Sequence, residues 1–558
     1  MPFSHRLRLA CGLAPLLWAA SAAAQYPDHP HTVPAITAAD LSALDRAIAD
    51  DAFKGRGPGT PAGEMAADWI AEELRHAGVA PGNHGSYFQE VPAVSIALDQ
   101  AASSLGLQTS SGVMRPAVPD QLVFWTPHYD TSEASVTASP LVFAGYGVVA
   151  PEYGWDDYAG MDVRGRTVVV LINDPGNEDA NPDPAFFKGR AMTYYGRWTY
   201  KFEEAARRGA AAMLIVHETG PAAYGWQVVR NGGVGPKLWL ATADNNASQP
   251  AIEGWMTRGT AEDLFRRCGL DYAAMKQAAN TRGFHAVPMQ GAYLTATAHS
   301  TVRYISTRNV IGVVPGRTAP GEYFLYTAHW DHLGEKPSLP GPDKIYNGAL
   351  DDGMGVASIL EIAQEFAHRK PATRRSVAFA FWTLEEQGLL GSAYFAAHPV
   401  VAPRQIAGAI NIDVLLPEGP AHDMTVIGNG ASELEDVLKV KLAENGRVIA
   451  GDPHPERGSF YRSDHLSLAK IGVPVLYLHS GVDLVQGGRA AGLAIGDRYL
   501  AKFYHQPTDE FDPAWDLSGP VADLKIAYAV GEAVADGTTW PDWYAGNEFK
   551  AVRDQSRR

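Results

Sequence analysis

NGALDDGMGVASILEIAQEFAHR, residues 347–369, begins as a polar, glycine-rich loop and ends as a helix. Val356, Ile359, Leu360, Ala363 and Phe366 recur at helical spacing, which predicts an amphipathic helix burying that stripe. The loop sets Asp351 and Asp352 side by side, and TLEEQG, residues 383–388, repeats the device with Glu385 and Glu386. Adjacent carboxylates repel one another. Two such pairs in loops flanked by apolar runs point to a cation.

The segments around this stretch are regular. NVIGVVPG (309–316), EYFLYTAH (322–329), SVAFAFWTLEE (376–386), AGAINIDVL (407–415) and GVPVLYLHSG (472–481) are nearly continuous apolar runs and read as strands. GSAYFAAHP (391–399) and SELEDVLKVKLAENG (432–446) read as helices between them. Buried strands alternating with amphipathic helices predict an α/β fold, a mostly parallel mixed sheet sandwiched by helices. Two capped helices are expected over residues 38–80, separated by FKGRGPGTP. Residues 133–290 differ in texture: SPLVFAGYGVV, TVVVLIND and AAAMLIVHE are short β-rich runs without a His–carboxylate cluster, and read as an inserted module. The division is then residues 25–132 and 291–558 for the two parts of the main domain, around the insertion at 133–290.

Residues 1–24 carry Arg6 and Arg8, an apolar stretch from Leu9 to about Ala20, and Ala22-Ala23-Ala24, the pattern of a cleaved export signal. A periplasmic or secreted protein without stable membrane insertion is expected. With the signal removed, Cys268 is the one cysteine left, so no intrachain disulfide can form, and its setting at a helix end predicts burial. A net charge of −16, with no basic run, argues against nucleic acid as a partner. The 46% apolar content of the 558 residues is enough for two or three packed domains.

On this scaffold His329, Glu385, Glu386 and Asp413 stand at carboxyl ends of strands, where open α/β sheets form their ligand crevice. Asp351 lies in a loop on the same rim, and His505 arrives from YHQPTDEFD. A mixed His/carboxylate set suits zinc. The reading assigns His329 and Asp413 to one Zn2+, Glu386 and His505 to a second, and Asp351 to both. Two ions about 3.5–4 Å apart would hold an attacking hydroxide and polarise a carbonyl. Glu385 is left to move the proton from water to the leaving amine. Asp331 is expected to accept the far ring N–H of His329, and Asp352 to cap the following helix. His332, His465 and His479 stand near the same motifs as alternative ligands.

HWDHLG, NGALDDGMGVA, WTLEEQGLLGS, NIDV, YRSDHLSLAKIGVP and YHQPTDEFD, between Asn309 and Asp512, resemble the ordered motifs of the co-catalytic di-zinc aminopeptidase family. Its wider clan includes glutamate carboxypeptidase and transferrin receptor. The resemblance implies metal positions at His329, Asp351, Glu386, Asp413 and His505, with Glu385 as general base. It also implies that Tyr504 stabilises the tetrahedral intermediate, with Tyr461 as rival, and that Arg462 contacts substrate. The inserted segment resembles a protease-associated domain, which implies a lid or a substrate-sizing element. Leu350, where many relatives have Asn, and a long stretch between Gly481 and Tyr504 depart from the pattern.

The expected function is an exported aminopeptidase acting on peptides. The first alternative is a carboxypeptidase or dipeptidase, with Arg457 or Arg462 holding a terminal carboxylate. The second is a non-catalytic binding protein. A serine hydrolase is excluded, since no G-x-S-x-G occurs at a strand-to-helix turn.

Overall fold

The structure, a computed structural model, describes residue 27 and residues 33–337 and 341–558. The expected export signal lies outside the described residues.

The main sheet is organised around six strands: β1 (Val287–Val314), β2 (Ala319–His329), β3 (Arg375–Trp382), β4 (Ile406–Ile412), β5 (Asp423–Ile427) and β6 (Val475–His479). In space the order is β1, β3, β2, β4, β6, β5. The run from β3 to β6 is parallel, and β1 and β5 join it antiparallel. Alternate residues on each strand feed opposite faces. Phe324 and Tyr326 of β2 pack into one apolar cluster with helices α1 (Ala38–Ile48), α2 (Pro61–His76) and α3 (Met354–His368). Leu325, between them, packs into the cluster on the other face with Phe395 and Leu466. This two-sided burial is why the strands are apolar throughout, and it confirms the expected α/β architecture.

The stripe on α3 is buried as expected: Val356, Ile359 and Ala363 are fully covered, and Phe366 nearly so. Each large apolar side chain there contributes roughly 1.5–3 kcal/mol by leaving water. Thr37 caps α1 by accepting from Asp40 N at 3.1 Å, and Thr60 caps α2 by accepting from Gly63 N at 3.1 Å. These hydroxyls satisfy amides that the first helical turn leaves open.

The β-rich module forms a second sheet with its own apolar clusters. Its strands at Glu133–Phe143, Thr167–Leu171, Ala212–His217 and Ile252–Thr257 run parallel, and Leu122–Trp125 closes one edge antiparallel. The sheet also takes in Ser104–Thr109, upstream of the boundary at 133 read from the sequence. The cause is β1, which serves both sheets. Its first half pairs with Ser104–Thr109 and Glu133–Phe143, and from Ser300 onward it pairs with Phe88–Leu98 of the main sheet. A continuous strand offers no turn residue to mark the border.

Cys268 is half-buried at the end of helix Arg258–Arg267, against the module's core. No described helix is long and apolar enough to cross a membrane.

Candidate metal centre

β2 ends at His329, β3 runs out two residues before Leu384 and Glu385, and Asp413 directly follows β4. Asp351 comes from the loop before α3, and its peptide bond to Asp352 is cis. Leu384 (φ 58°) and Val414 (φ 64°) at these exits, and His505 (φ 55°) in the loop after helix Gly488–Lys502, have left-handed backbones. Each costs about 1–2 kcal/mol, and such strain persists where the surrounding structure imposes it, commonly at functional sites.

The exits bring five of the expected residues together. His329 Nε2 lies 3.2 Å from Asp351 Oδ1 and 3.7 Å from Asp413 Oδ1. His505 Nε2 lies 3.3 Å from Asp351 Oδ2 and 3.0 Å from Glu386 Oε2. Asp351 thus turns one oxygen to each histidine. His332, an alternative on sequence grounds, joins the second group: its Nδ1 is 2.5 Å from Glu386 Oε1. Donor atoms of His329, Asp351 and Asp413 lie within 4.8 Å of one another, as do those of His332, Asp351 and Glu386.

These residues fit a divalent cation. His329 Nε2, His332 Nε2 and Asp351 Oδ2 are buried without a hydrogen-bond partner, an expensive condition unless something else engages them. Burial disfavours charge on His329, yet Glu385, Asp351 and Asp413 overcome it and hold its pKa well above the ordinary value. A proton there is a stand-in for the positive charge this acidic pocket demands.

Around the donors stands a frame of backbone hydrogen bonds. Asp352 accepts from Gly355 N at 3.0 Å, Val414 N at 3.2 Å and His329 N at 3.3 Å, so it caps α3 and also ties the ends of β2 and β4 together. A Cβ at Gly355 would collide with that carboxylate. Asp509 accepts from Leu350 N at 3.0 Å and Asp351 N at 3.1 Å. Arg56, fully buried, donates to the carbonyls of Trp330 (2.8 Å), Gly348 (2.8 Å), Ile48 (3.1 Å), Asp351 (3.4 Å) and Asn347. The sequence reading did not single out Asp509 or Arg56.

Asp331 differs from expectation. The backbone carbonyl of Asp331 takes the ring N–H of His329, at 3.0 Å, while its carboxylate stands 4.0 Å away. That carboxylate accepts from Glu385 N at 3.0 Å, so it holds the backbone of Glu385 and not the histidine ring. Burial pushes Asp331 up to about 7. Tyr461 also departs. It is buried, and its hydroxyl donates to Glu548 at 2.8 Å, which takes it out of contention for an intermediate. Tyr504 is 38% exposed, and its ring stacks on His505 with centroids 3.9 Å apart. His465 is a core histidine, stacked 4.4 Å from Tyr477, with burial pushing its pKa down to about 3. His479 packs edge-on to the same tyrosine. Arg457 is drawn toward Asp497, at 4.0 Å, while Arg462 keeps two nitrogens unpartnered.

The model of peptidase family M28 matches residues 309–529. A probable lipoprotein aminopeptidase, LpqL, of Mycobacterium tuberculosis is 29% identical over 255 residues, 43% of this chain and 47% of that protein. A probable zinc metalloprotease of Pyrenophora teres f. teres is 34% identical over 111 residues, 20% of this chain and 23% of its own length. The chain thus spans about half the length of the first of these relatives and less of the second. In fold, it superposes on an aminopeptidase from Aneurinibacillus sp. strain AM-1 with a TM-score of 0.50 and 17% identity, over 90% of this chain and 95% of the other. Both donor clusters fall inside residues 309–529, the segment that matches the model of peptidase family M28.

Proposed function

We propose that this protein is an exported, zinc-dependent exopeptidase that removes N-terminal residues from peptides. The observation that carries the reading is Asp351, whose two oxygens face two separate donor groups, with Glu385 beside them and in neither. His329, Asp351 and Asp413 would hold one Zn2+, and Asp351, Glu386 and His505 the other, with His332 against Glu386. When bound, the ions supply Lewis-acid polarisation of the scissile carbonyl and lower the proton affinity of water.

The chain's own residues do the rest. Burial pushes the Glu385 carboxyl well above the carboxylate range, with Asp413 and Glu386 adding to the effect and His329 opposing it. Standing beside both donor clusters and in neither, Glu385 would take a proton from the attacking water and return it to the leaving amine. Asp331 fixes the backbone at Glu385 while this happens. Tyr504, on the open side of His505, can donate its hydroxyl to charge developing on the substrate oxygen. Export is supported by the basic, apolar and small-residue pattern of residues 1–24.

The test is release of amino acids from free, amino-blocked and carboxyl-blocked peptides, with zinc stripped and then restored. Cleavage that needs zinc and a free amino terminus is expected. Cleavage of amino-blocked peptides alone would instead make the chain a carboxypeptidase, an alternative to which the unpartnered Arg462 lends weight.

A further inference from the structure

Two arginines come from segments that touch where the β-rich module faces the catalytic half, the Tyr194 and Tyr461 rings lying 6.0 Å apart there. Arg197 immediately precedes the module's helix Trp198–Arg207, and Arg462 follows the turn Ser459–Tyr461 of the catalytic half. Arg462 Cζ lies 5.7 Å from the ring centroid of Tyr224, which the module contributes. Arg197 Nε, Arg462 Nε and Arg462 Nη2 are shut away from solvent and make no hydrogen bond. Burial, and then the Arg462 guanidinium beside it, push Arg197 down to about 9, with Tyr224, Tyr504 and Tyr194 opposing. No carboxylate is among the groups that bear most on it.

Both residues are half-buried, and buried guanidinium nitrogens beside a like charge are rarely left unpartnered unless an anion completes them. A planar guanidinium presents paired N–H donors matched to a carboxylate. The place of the pair is set through Tyr504. That ring stacks on the metal-site His505, and both arginines act on its hydroxyl electrostatically. Tyr504 thus lies under the influence of the metal-site His505 on one side and of the two arginines on the other.

We propose that Arg197 and Arg462 together bind a carboxylate of the substrate, making the inserted module one wall of the substrate site. This deepens the exopeptidase reading and rests on it, in that the carboxylate is taken to belong to a peptide. Two sources offer the same chemistry: the α-carboxylate of a short peptide, and an acidic side chain next to the scissile bond.

The experiment is calorimetric titration of the zinc-loaded full chain with uncleavable reduced-bond dipeptides. The probes are Leu-ψ(CH2NH)-Gly as free acid, the same compound as its amide, and Leu-ψ(CH2NH)-Asp amide. At least one carboxylate probe is expected to bind about tenfold or more tighter than the neutral amide. Whichever gains identifies the source. R197A and R462A should each erase most of that gain, read as the ratio of carboxylate-probe to neutral-amide affinity within each variant. Both remove half-buried side chains with unpartnered nitrogens and should fold, with R197Q and R462Q as substitutes if either does not. Equal binding of all three probes, or a gain that survives both substitutions, overturns the proposal. Hydrolysis of leucine p-nitroanilide by the same preparation is scored separately. Its absence alongside carboxylate discrimination refutes the aminopeptidase reading and leaves the arginine site standing.

Discussion

Arg56 donates to the carbonyl oxygen of Asp351 at 3.4 Å, so a side chain from the first 60 residues holds the residue on which both donor groups converge. The same guanidinium serves four more carbonyls, from Ile48, Trp330, Asn347 and Gly348. Asp45 and Asp509 lie near it as counter-charges.

Arg56→Met keeps much of the volume and removes every donor. With buried carbonyls and acids left uncompensated, the loss should be about 3 kcal/mol or more, seen as a clearly lower melting temperature. Zinc affinity should fall with it, because the Asp351 loop is no longer clamped. An unchanged melting temperature would contradict the clamp.

Glu385→Gln removes a proton carrier and no donor of either cluster. Activity should drop by roughly 10²–10⁴-fold, with zinc content and melting temperature unchanged. Near-normal turnover by the Gln variant would remove Glu385 from the role of base.

Asp331→Asn tests the corrected role of Asp331. Because its carboxylate holds Glu385 N and not the His329 ring, the variant should lose turnover while zinc affinity is little altered. Weakened zinc binding with intact turnover would restore the role read from the sequence.

Glu361 belongs to neither donor cluster; it is buried on α3 and accepts from Thr37 N at 3.1 Å. Burial pushes its carboxyl from 4.5 up to about 8, with the Thr37 hydrogen bond opposing. The folded chain therefore binds this proton more tightly than the unfolded chain. The associated stability is complete below 4.5 and is lost as pH rises through 8. Glu361→Gln keeps an acceptor for Thr37 and cannot ionise. Its melting temperature relative to the unsubstituted chain should climb between pH 5 and pH 8. A difference that stays constant over that range would show that Glu361 is not protonated in the fold.

The catalytic half was legible because its strands are buried on both faces, so sequences such as EYFLYTAH announce themselves and place His329, Glu386 and Asp413 at strand exits. His505 is harder to read. It sits in a loop at φ 55° after helix Gly488–Lys502, whose weak apolar pattern reads as an over-long connection, and the motif resemblance located it. Arg56 and Asp509 left no signal because their partners are backbone carbonyls and amides, which no residue pattern encodes. Arg197 pairs with a residue of the other module, a relation that only folding creates. Asp331 was assigned the right neighbourhood and the wrong partner, since its carbonyl and carboxylate are equally near His329 in sequence.

The central claim is that Asp351 is shared between two cation sites. It is tested most directly by elemental analysis of the purified chain after stripping and reloading with zinc. Two zinc ions per chain are expected, falling to one in Asp413→Ala and toward none in Asp351→Ala, each variant still folded by circular dichroism. A single ion in the unsubstituted chain, or two ions retained by Asp351→Ala, would contradict it.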